Sequence, residues 1–342
     1  MLSPPFIRDY REPGVTFALV PFAADPTTSL AFAEDALRSR LAPGEEMAEL
    51  FPPIDSSIRS AHATGGLVRS NGAPSGMVLW EPAGPVGVAV RLLYLADGAA
   101  VREGYRAVLD LTERAAGPVA FAPGQLAGLS ETAEAALMEE RGFAPYGRSE
   151  MTFPAVAPLP VSSVPADAEV RAVTPSDEAA LARLHERAYA RHLDRYLAIE
   201  DLDPVRDADR QMRGSFSGRW GDLLIPGSTV VTVGGEPVAA VLVARRPTSA
   251  LVLDAMTEPR RQGRGYGRAA LASALRALRE RGESRIVLNV TEGNERALRL
   301  YGRLGFVRSL GPSKEWYDAR RMPVDLPVPP RRQAPGTGSD GR

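Results

Sequence analysis

The sequence predicts an α/β chain of two α+β units in tandem, and three observations carry that prediction. Residues 257–268, TEPRRQGRGYGR, join the end of a strand to the start of a helix through a glycine-rich turn. The 342 residues exceed the usual size of one domain, which favours two. The first half also repeats the plan of the second in worn form, its last helix ending in Gly142-Phe143 as the other ends in Gly305-Phe306.

Each element has a local reason. In the first half, apolar runs at 66–68 and 77–80 flank an Asn71-Gly72 turn and read as strands, followed by a longer strand over 86–95. Residues 105–114 are helical, 118–122 form a strand and 131–141 a helix. Pro154, Pro158, Pro160 and Pro165 then interrupt a stretch with no helical period, a linker or exposed extended crossover. In the second half a short strand at 171–173 precedes a helix over 177–192 with Ser176 as its cap, then a polar segment to about residue 221. Residues 229–233 and 237–244 form a hairpin turned at Gly234-Gly235, and the strand 251–256 enters the glycine turn. The next helix, 269–281, carries Leu271, Leu275 and Leu278 on one face, and the apolar run 285–290 is a buried strand. A helix headed by Asn294 and a last strand near 316–320 complete the unit, and the tail beyond 322 lacks an apolar pattern.

Composition narrows the function. With 44% hydrophobic and 24% charged residues the chain can build cores, and a formal net charge of -1 gives no electrostatic reason to expect nucleic acid or an anionic membrane as partner. No apolar stretch is long enough to span a bilayer and the N-terminus has no basic segment leading into an apolar one, so a cytoplasmic protein is expected. The chain has no cysteine, which excludes disulfides, thiolate metal sites and cysteine nucleophiles. His62, His185 and His192 are the only imidazoles; the last two lie in a charged helical segment and read as solvated, so no metal is expected.

The turn at 257–268 suits an anion. The first N–H groups of a helix lack intrahelical partners and the peptide dipoles leave positive charge there. Gly263, Gly265 and Gly267 at alternate positions remove the Cβ atoms that would hold a pyrophosphate away, and Arg264 and Arg268 add cationic donors. A Walker loop would need Gly-Lys-Ser/Thr, but the only lysine is Lys314; a dinucleotide fingerprint starting at Gly263 fails at Arg268.

What the residues do match is Gln262-x-x-Gly265-x-Gly267, which resembles the Q/R-x-x-G-x-G/A pyrophosphate loop of the GNAT acetyltransferases. Residues 290–306, VTEGNERALRLYGRLGF, resemble the family segment V-x-x-x-N-x-x-A-x-x-x-Y-x-x-x-G-F at every named position, and the elements come in the family's order. The resemblance implies two tandem GNAT-like domains, each a twisted, mixed, mainly antiparallel sheet flanked by helices. The expected division is a degenerate copy without a cofactor loop at 1–154, a Pro-rich linker at 155–168, the acetyltransferase domain at 169–322 and a disordered tail at 323–342. Aligned on the Gly-Phe pairs, Met138 stands for Tyr301 and Glu131 for Asn294, while residues 96–104 replace the glycine loop.

It also implies acetyl-CoA as co-substrate and a small-molecule or peptide amine as acceptor, with the oligomeric state open. Gln262, Gly263, Arg264, Gly265, Tyr266, Gly267 and Arg268 would hold the pyrophosphate. The backbone of Ala255, Met256 and Thr257 would hold pantetheine and thioester, and Asn294 would touch pantetheine or bound water besides capping its helix. Tyr301 matches the family tyrosine that protonates the leaving thiolate, a thiol of pKa about 8.5 against a phenol near 10. Ala297, Leu300, Tyr301 and Leu304 equally form a core stripe. Asp254 and Glu292 end the two central strands as candidate bases, or as solvated strand-end acids. The run Asp194, Glu200, Asp201, Asp203, Asp207 and Asp209 is either an attractor for a cationic amine or a solvated face. Other readings keep the fold and change the acyl-CoA or use an O-acceptor, or make the chain a non-catalytic acyl-CoA sensor or scaffold.

Overall fold

The computed structural model describes residues 10–12, 15–40, 65–82, 87–96, 101–124, 126, 128–161, 163–192, 194–195, 201, 203–309 and 313–321, with residues 47, 51, 54–55 and 58. The expected tail, His62, Glu200 and residues 97–100 of the loop replacing the glycine turn lie outside them.

The first half runs β1 (Tyr10–Glu12), β2 (Val15–Pro21), α1 (Pro26–Arg40), β3 (Gly65–Ser70), β4 (Ala73–Pro82), β5 (Val88–Leu95), α2 (Arg102–Ala116), β6 (Val119–Pro123), α3 (Glu131–Glu140) and β7 (Phe143–Phe153). The second runs β8 (Glu169–Ala172), α4 (Glu178–Tyr189), α5 (Pro204–Phe216), β9 (Thr229–Val233), β10 (Glu236–Arg245), β11 (Ala250–Thr257), α6 (Tyr266–Glu280), β12 (Ile286–Thr291), α7 (Glu295–Leu304), β13 (Val307–Arg308) and β14 (Ser313–Asp318). Both halves thus carry an antiparallel meander, a helix, a parallel strand and a second helix. Among the described strands, only β5 with β6 and β11 with β12 pair in parallel. The hairpin turns fall where expected, with Asn71 and Gly72 at φ 49° and 83° and Gly234 and Gly235 at 58° and 84°.

The halves exchange strands. The sheet order is β1-β2-β3-β4-β5-β6-β14-β7-β12-β11-β10-β9-β8, with β13 also on β7. β14, the end of the second half, pairs with β6 of the first, Trp316 opposite Ala122. β7, the end of the first half, pairs with β12 of the second, Ser149 opposite Val290. The exchange crosses the cores too: Trp316 lies among Val108, Leu137 and Met138, while Met151 and Phe153 lie among Leu271, Leu288 and Phe306.

Two local expectations need correction. The cap before α4 is Thr174 with Asp177, which form a capping box, and not Ser176. The polar segment before residue 221 contains α5, capped by Asp203, whose Oδ1 accepts from Val205 and Arg206, with Pro204 in the first turn. The Pro-rich stretch after Phe153 is an exposed crossover that touches α6 at several points. Arg279 donates to the Pro154 carbonyl at 2.9 Å, Arg268 to Val161 at 2.9 Å, and the Tyr266 hydroxyl to Asp167 at 2.8 Å.

Candidate active site

Strand splaying makes the cleft. β11 and β12 pair only through Ala250–Ile286, Leu251–Val287 and Val252–Leu288, so beyond Val252 the facing backbone of β11 has no ladder partner. The register against β10 slips there, Val243 facing Val252 and Leu242 facing Asp254, which leaves Leu253 as a bulge. Leu253 can therefore pack with the core under α4 while Asp254, the next residue, also reaches α4. Ala255, Met256 and Thr257 follow, paired with β10 on one edge and without a ladder partner on the edge towards β12.

The turn after β11 is built for close approach. Gly263 and Gly265 have φ of 82° and 93°, left-handed values that disfavour side chains, and Gly265 is the N-cap of α6. A Cβ on Gly267 would lie 2.6 Å from Thr257 Oγ1, so any larger residue there must displace the Thr257 side chain. Gln262 is a brace: its Nε2 donates to the Thr257 carbonyl at 3.2 Å and its Oε1 accepts from Arg296. Tyr266 is buried and anchored on Asp167, whereas Arg264 is exposed. Exposed α6 N–H groups, left-handed glycines and flanking arginines fit the pyrophosphate of a CoA thioester.

Below the turn, two tyrosines and two carboxylates cluster. Tyr301 on α7 is buried, packs on Phe306 and, among the described residues, makes no hydrogen bond through its hydroxyl. Burial first, then the charges of Asp194 and Asp254, push that hydroxyl well above the usual tyrosine value. Tyr189, at the end of α4, donates to Asp254 Oδ1 at 3.0 Å, and His185 Nε2 lies 3.9 Å from the same oxygen. Burial, then Asp254, Asp194 and Tyr301, raise the Tyr189 hydroxyl.

The segment after α4 closes one side. Asn294 caps α7 by accepting from Ala297 at 3.1 Å, and its Nδ2 meets His192 Nε2 at 3.0 Å. His192 Nδ1 lies 3.3 Å from Asp194 Oδ2, and Thr291 donates to Asp194 Oδ1. Burial alone would lower the His192 pKa, but the hydrogen bond and charge of Asp194 outweigh it and leave it raised. Burial likewise acts to raise Asp194, and His192, Arg148 and Thr291 together hold it low. Arg148 belongs to β7, so the exchanged strand of the first half brings charge to this site. His192 is thus a site residue and not a solvated one.

The other sequence candidates separate. Glu292 accepts from Ser149 and from Arg308 at 2.7 Å, a pairing directed at β7. Of the acidic run, Asp201 is paired with Arg206 at 3.0 Å, Asp203 caps α5, and Asp194 is the described member seen in the site. In the first half, Met138 is buried where Tyr301 stands, and Glu134, aligned with Ala297, accepts from Leu126 N at 2.9 Å and Trp316 Nε1 at 2.7 Å.

Comparison with known proteins identifies the family. The Acetyltransferase (GNAT) family matches residues 185–306. A mycothiol acetyltransferase of Thermomonospora curvata is 32% identical over 294 residues, covering 83% of this chain and 91% of its own. The chain belongs to the GNAT acetyltransferase family. Among solved structures, a GCN5-related N-acetyltransferase from Sphaerobacter thermophilus has the same fold at TM-score 0.60 and 18% identity, covering 88% of this chain and 95% of its own. A tandem GNAT protein from the clavulanic acid biosynthesis pathway matches at TM-score 0.55 and 17% identity, covering 88% and 97%. The tandem GNAT architecture read from the motifs is therefore that of the protein, and the enzyme is an acyltransferase.

Proposed function

We propose that the enzyme transfers the acetyl group of acetyl-CoA to a primary amine of the mycothiol series, at the splayed strands of the second half. The observation that carries this reading is a buried tyrosine hydroxyl, Tyr301, that makes no hydrogen bond among the described residues and feels the charge of Asp254, on a unit whose glycine turn fits a CoA pyrophosphate. The relatives' name supports the acceptor class.

In this reading Gly263, Gly265, Gly267 and the start of α6 seat the pyrophosphate, and the backbone edge of Ala255, Met256 and Thr257 that β12 leaves open orients the thioester. Asn294, already engaged by Ala297 and His192, fixes the head of α7 and hence Tyr301. Asp254 takes the proton of the attacking amine, and Tyr301 gives one to the departing sulfur. The two steps support one another electrostatically. While Asp254 is charged it holds the Tyr301 proton on; once Asp254 is protonated that charge is gone and Tyr301 becomes the stronger acid when the thiolate forms. Glu292 has no part in proton transfer, because Arg308 and Ser149 occupy it. The first half, residues 1–154, serves as a structural and substrate-shaping copy, and residues 169–322 carry the chemistry.

Incubating the full chain with acetyl-CoA and a panel of amines, including the mycothiol-series amine, tests this. N-acetylation of that amine, seen by mass spectrometry with matching thiol release, is the expected result. Acetylation of other amines with none of this one would refute the acceptor assignment.

A further inference from the structure

Asp254 is held from one side only. Its Oδ1 accepts from Tyr189 at 3.0 Å and has His185 Nε2 at 3.9 Å, whereas Oδ2 has no hydrogen bond among the described residues. Tyr189 is itself fixed. It follows His185 by one helical turn and the two rings pack at 4.5 Å, and His192 meets it edge-on at 5.9 Å. The bulge at Leu253 then turns Asp254 towards this aromatic group. The groups around the carboxylate are Tyr189 and His185 from α4, Tyr301 from α7 and, beyond the tyrosines, Asp194 paired with His192.

We propose that Tyr189 is a positioning residue that anchors Asp254 through Oδ1 and so presents Oδ2 to the acceptor amine. The inference rests on the reading of Asp254 as the base. The step balances: the amine N–H bond breaks as Oδ2–H forms, and the nitrogen lone pair bonds the thioester carbon. The C–S bond breaks, and sulfur takes the Tyr301 proton. Asp254 then returns its proton to solvent and Tyr301 regains one. The two tyrosines have separate tasks for a geometric reason, since one hydroxyl is committed to a carboxylate and the other is not.

Two readouts on the full chain test the proposal. In the first, 13C NMR follows the aspartate carboxyls, the Asp254 signal being the one lost in Asp254→Asn. A carboxylate that loses a hydrogen-bond donor changes its carbon chemical shift, so at one fixed pH Tyr189→Phe moves the Asp254 signal from its parent position. Replacing Tyr189 by 3,5-difluorotyrosine, a stronger donor of nearly the same shape, moves it the opposite way and also serves should the Phe variant fail to fold. A signal unmoved in the folded variants overturns the proposal. The second readout is turnover of acetyl-CoA with the mycothiol-series amine. Tyr189→Phe lowers kcat about tenfold with unchanged acetyl-CoA Kd, and costs nothing further in an Asp254→Asn background. Equal losses in both backgrounds overturn the positioning role. Full turnover in Asp254→Asn alone defeats the assignment of the base, a distinct failure, because the NMR shift reports the Tyr189–Asp254 contact whatever the base is.

Discussion

Trp316→Ala probes the strand exchange where it is most concentrated. Trp316 is 1% exposed and packs among Leu109, Leu137 and Met138 of the first half, though it lies near the end of the second. Truncating a buried aromatic costs about 3–5 kcal/mol through lost burial and the cavity left behind. The indole also donates to Glu134 Oε1 at 2.7 Å, a bond to a buried carboxylate that contributes about 1.5–3 kcal/mol. Glu134 keeps the Leu126 N–H at 2.9 Å and Lys314 Nζ at 3.6 Å, so the second loss is partial. The sum is about 5 kcal/mol, a large share of the 5–15 kcal/mol that holds a typical fold. Trp316→Phe, which keeps most of the volume and loses the donor, should cost about 2 kcal/mol. Urea denaturation followed by far-UV circular dichroism measures both. The expected curve for the alanine variant is displaced as a whole, because β14 belongs in chain to one half and in packing to the other. A loss below about 1 kcal/mol, or a new early transition with the rest of the curve unmoved, would refute the coupling of the halves.

Three further outcomes follow from the geometry. Gly267→Glu brings a carboxylate to the start of α6, where a Cβ already lies 2.6 Å from Thr257 Oγ1, and should weaken acetyl-CoA binding at least tenfold, about 1.4 kcal/mol, with one site per chain in the parent protein by isothermal titration; wild-type affinity would count against the phosphate turn. Asp177, held by Arg171 first and lowered to about 2, contributes stability that is complete above its ordinary carboxylate pKa and fades as pH falls through about 2. Asp177→Asn should therefore lose about 2 kcal/mol at pH 7 and flatten the stability profile between pH 4 and about 2, and an unchanged profile contradicts the pairing. Deleting residues 1–154 removes β7, bares the edge of β12 and takes Met151 and Phe153 from the second core, so the fragment 165–342 should be poorly soluble and nearly inactive; a soluble monomer with full acetyl transfer would show that the halves are independent.

What the sequence disclosed is what lies close together along the chain. The turn at 263–267, the helices after it and the Gly305 terminus, whose φ is 100°, are set by neighbouring residues, so motif and structure coincide. α5 was hidden because five arginines and aspartates surround its buried positions, Ala208, Met212 and Ser215, although Asp203-Pro204 is a readable start signal. β7 was hidden by Pro145 and Gly147, which break strand patterning, and its exchange with β14 depends on pairings between residues far apart in sequence. Tyr189 and His192 were missed for the same reason: their partners, Asp254 and Asn294, come 65 and 102 residues later. The acidic run shows the converse, since Asp201 and Asp203 serve local pairing and capping while, among the described members, Asp194 reaches the site.

The central claim is that Tyr301 supplies the proton for the departing thiolate, and Tyr301→Phe tests it most directly. Steady-state turnover with acetyl-CoA and the mycothiol-series amine should fall by about 10²-fold or more, while acetyl-CoA affinity and melting temperature stay close to the parent's. Turnover per folded molecule equal to that of the parent would contradict the account and leave Tyr301 as a member of the α7 core face.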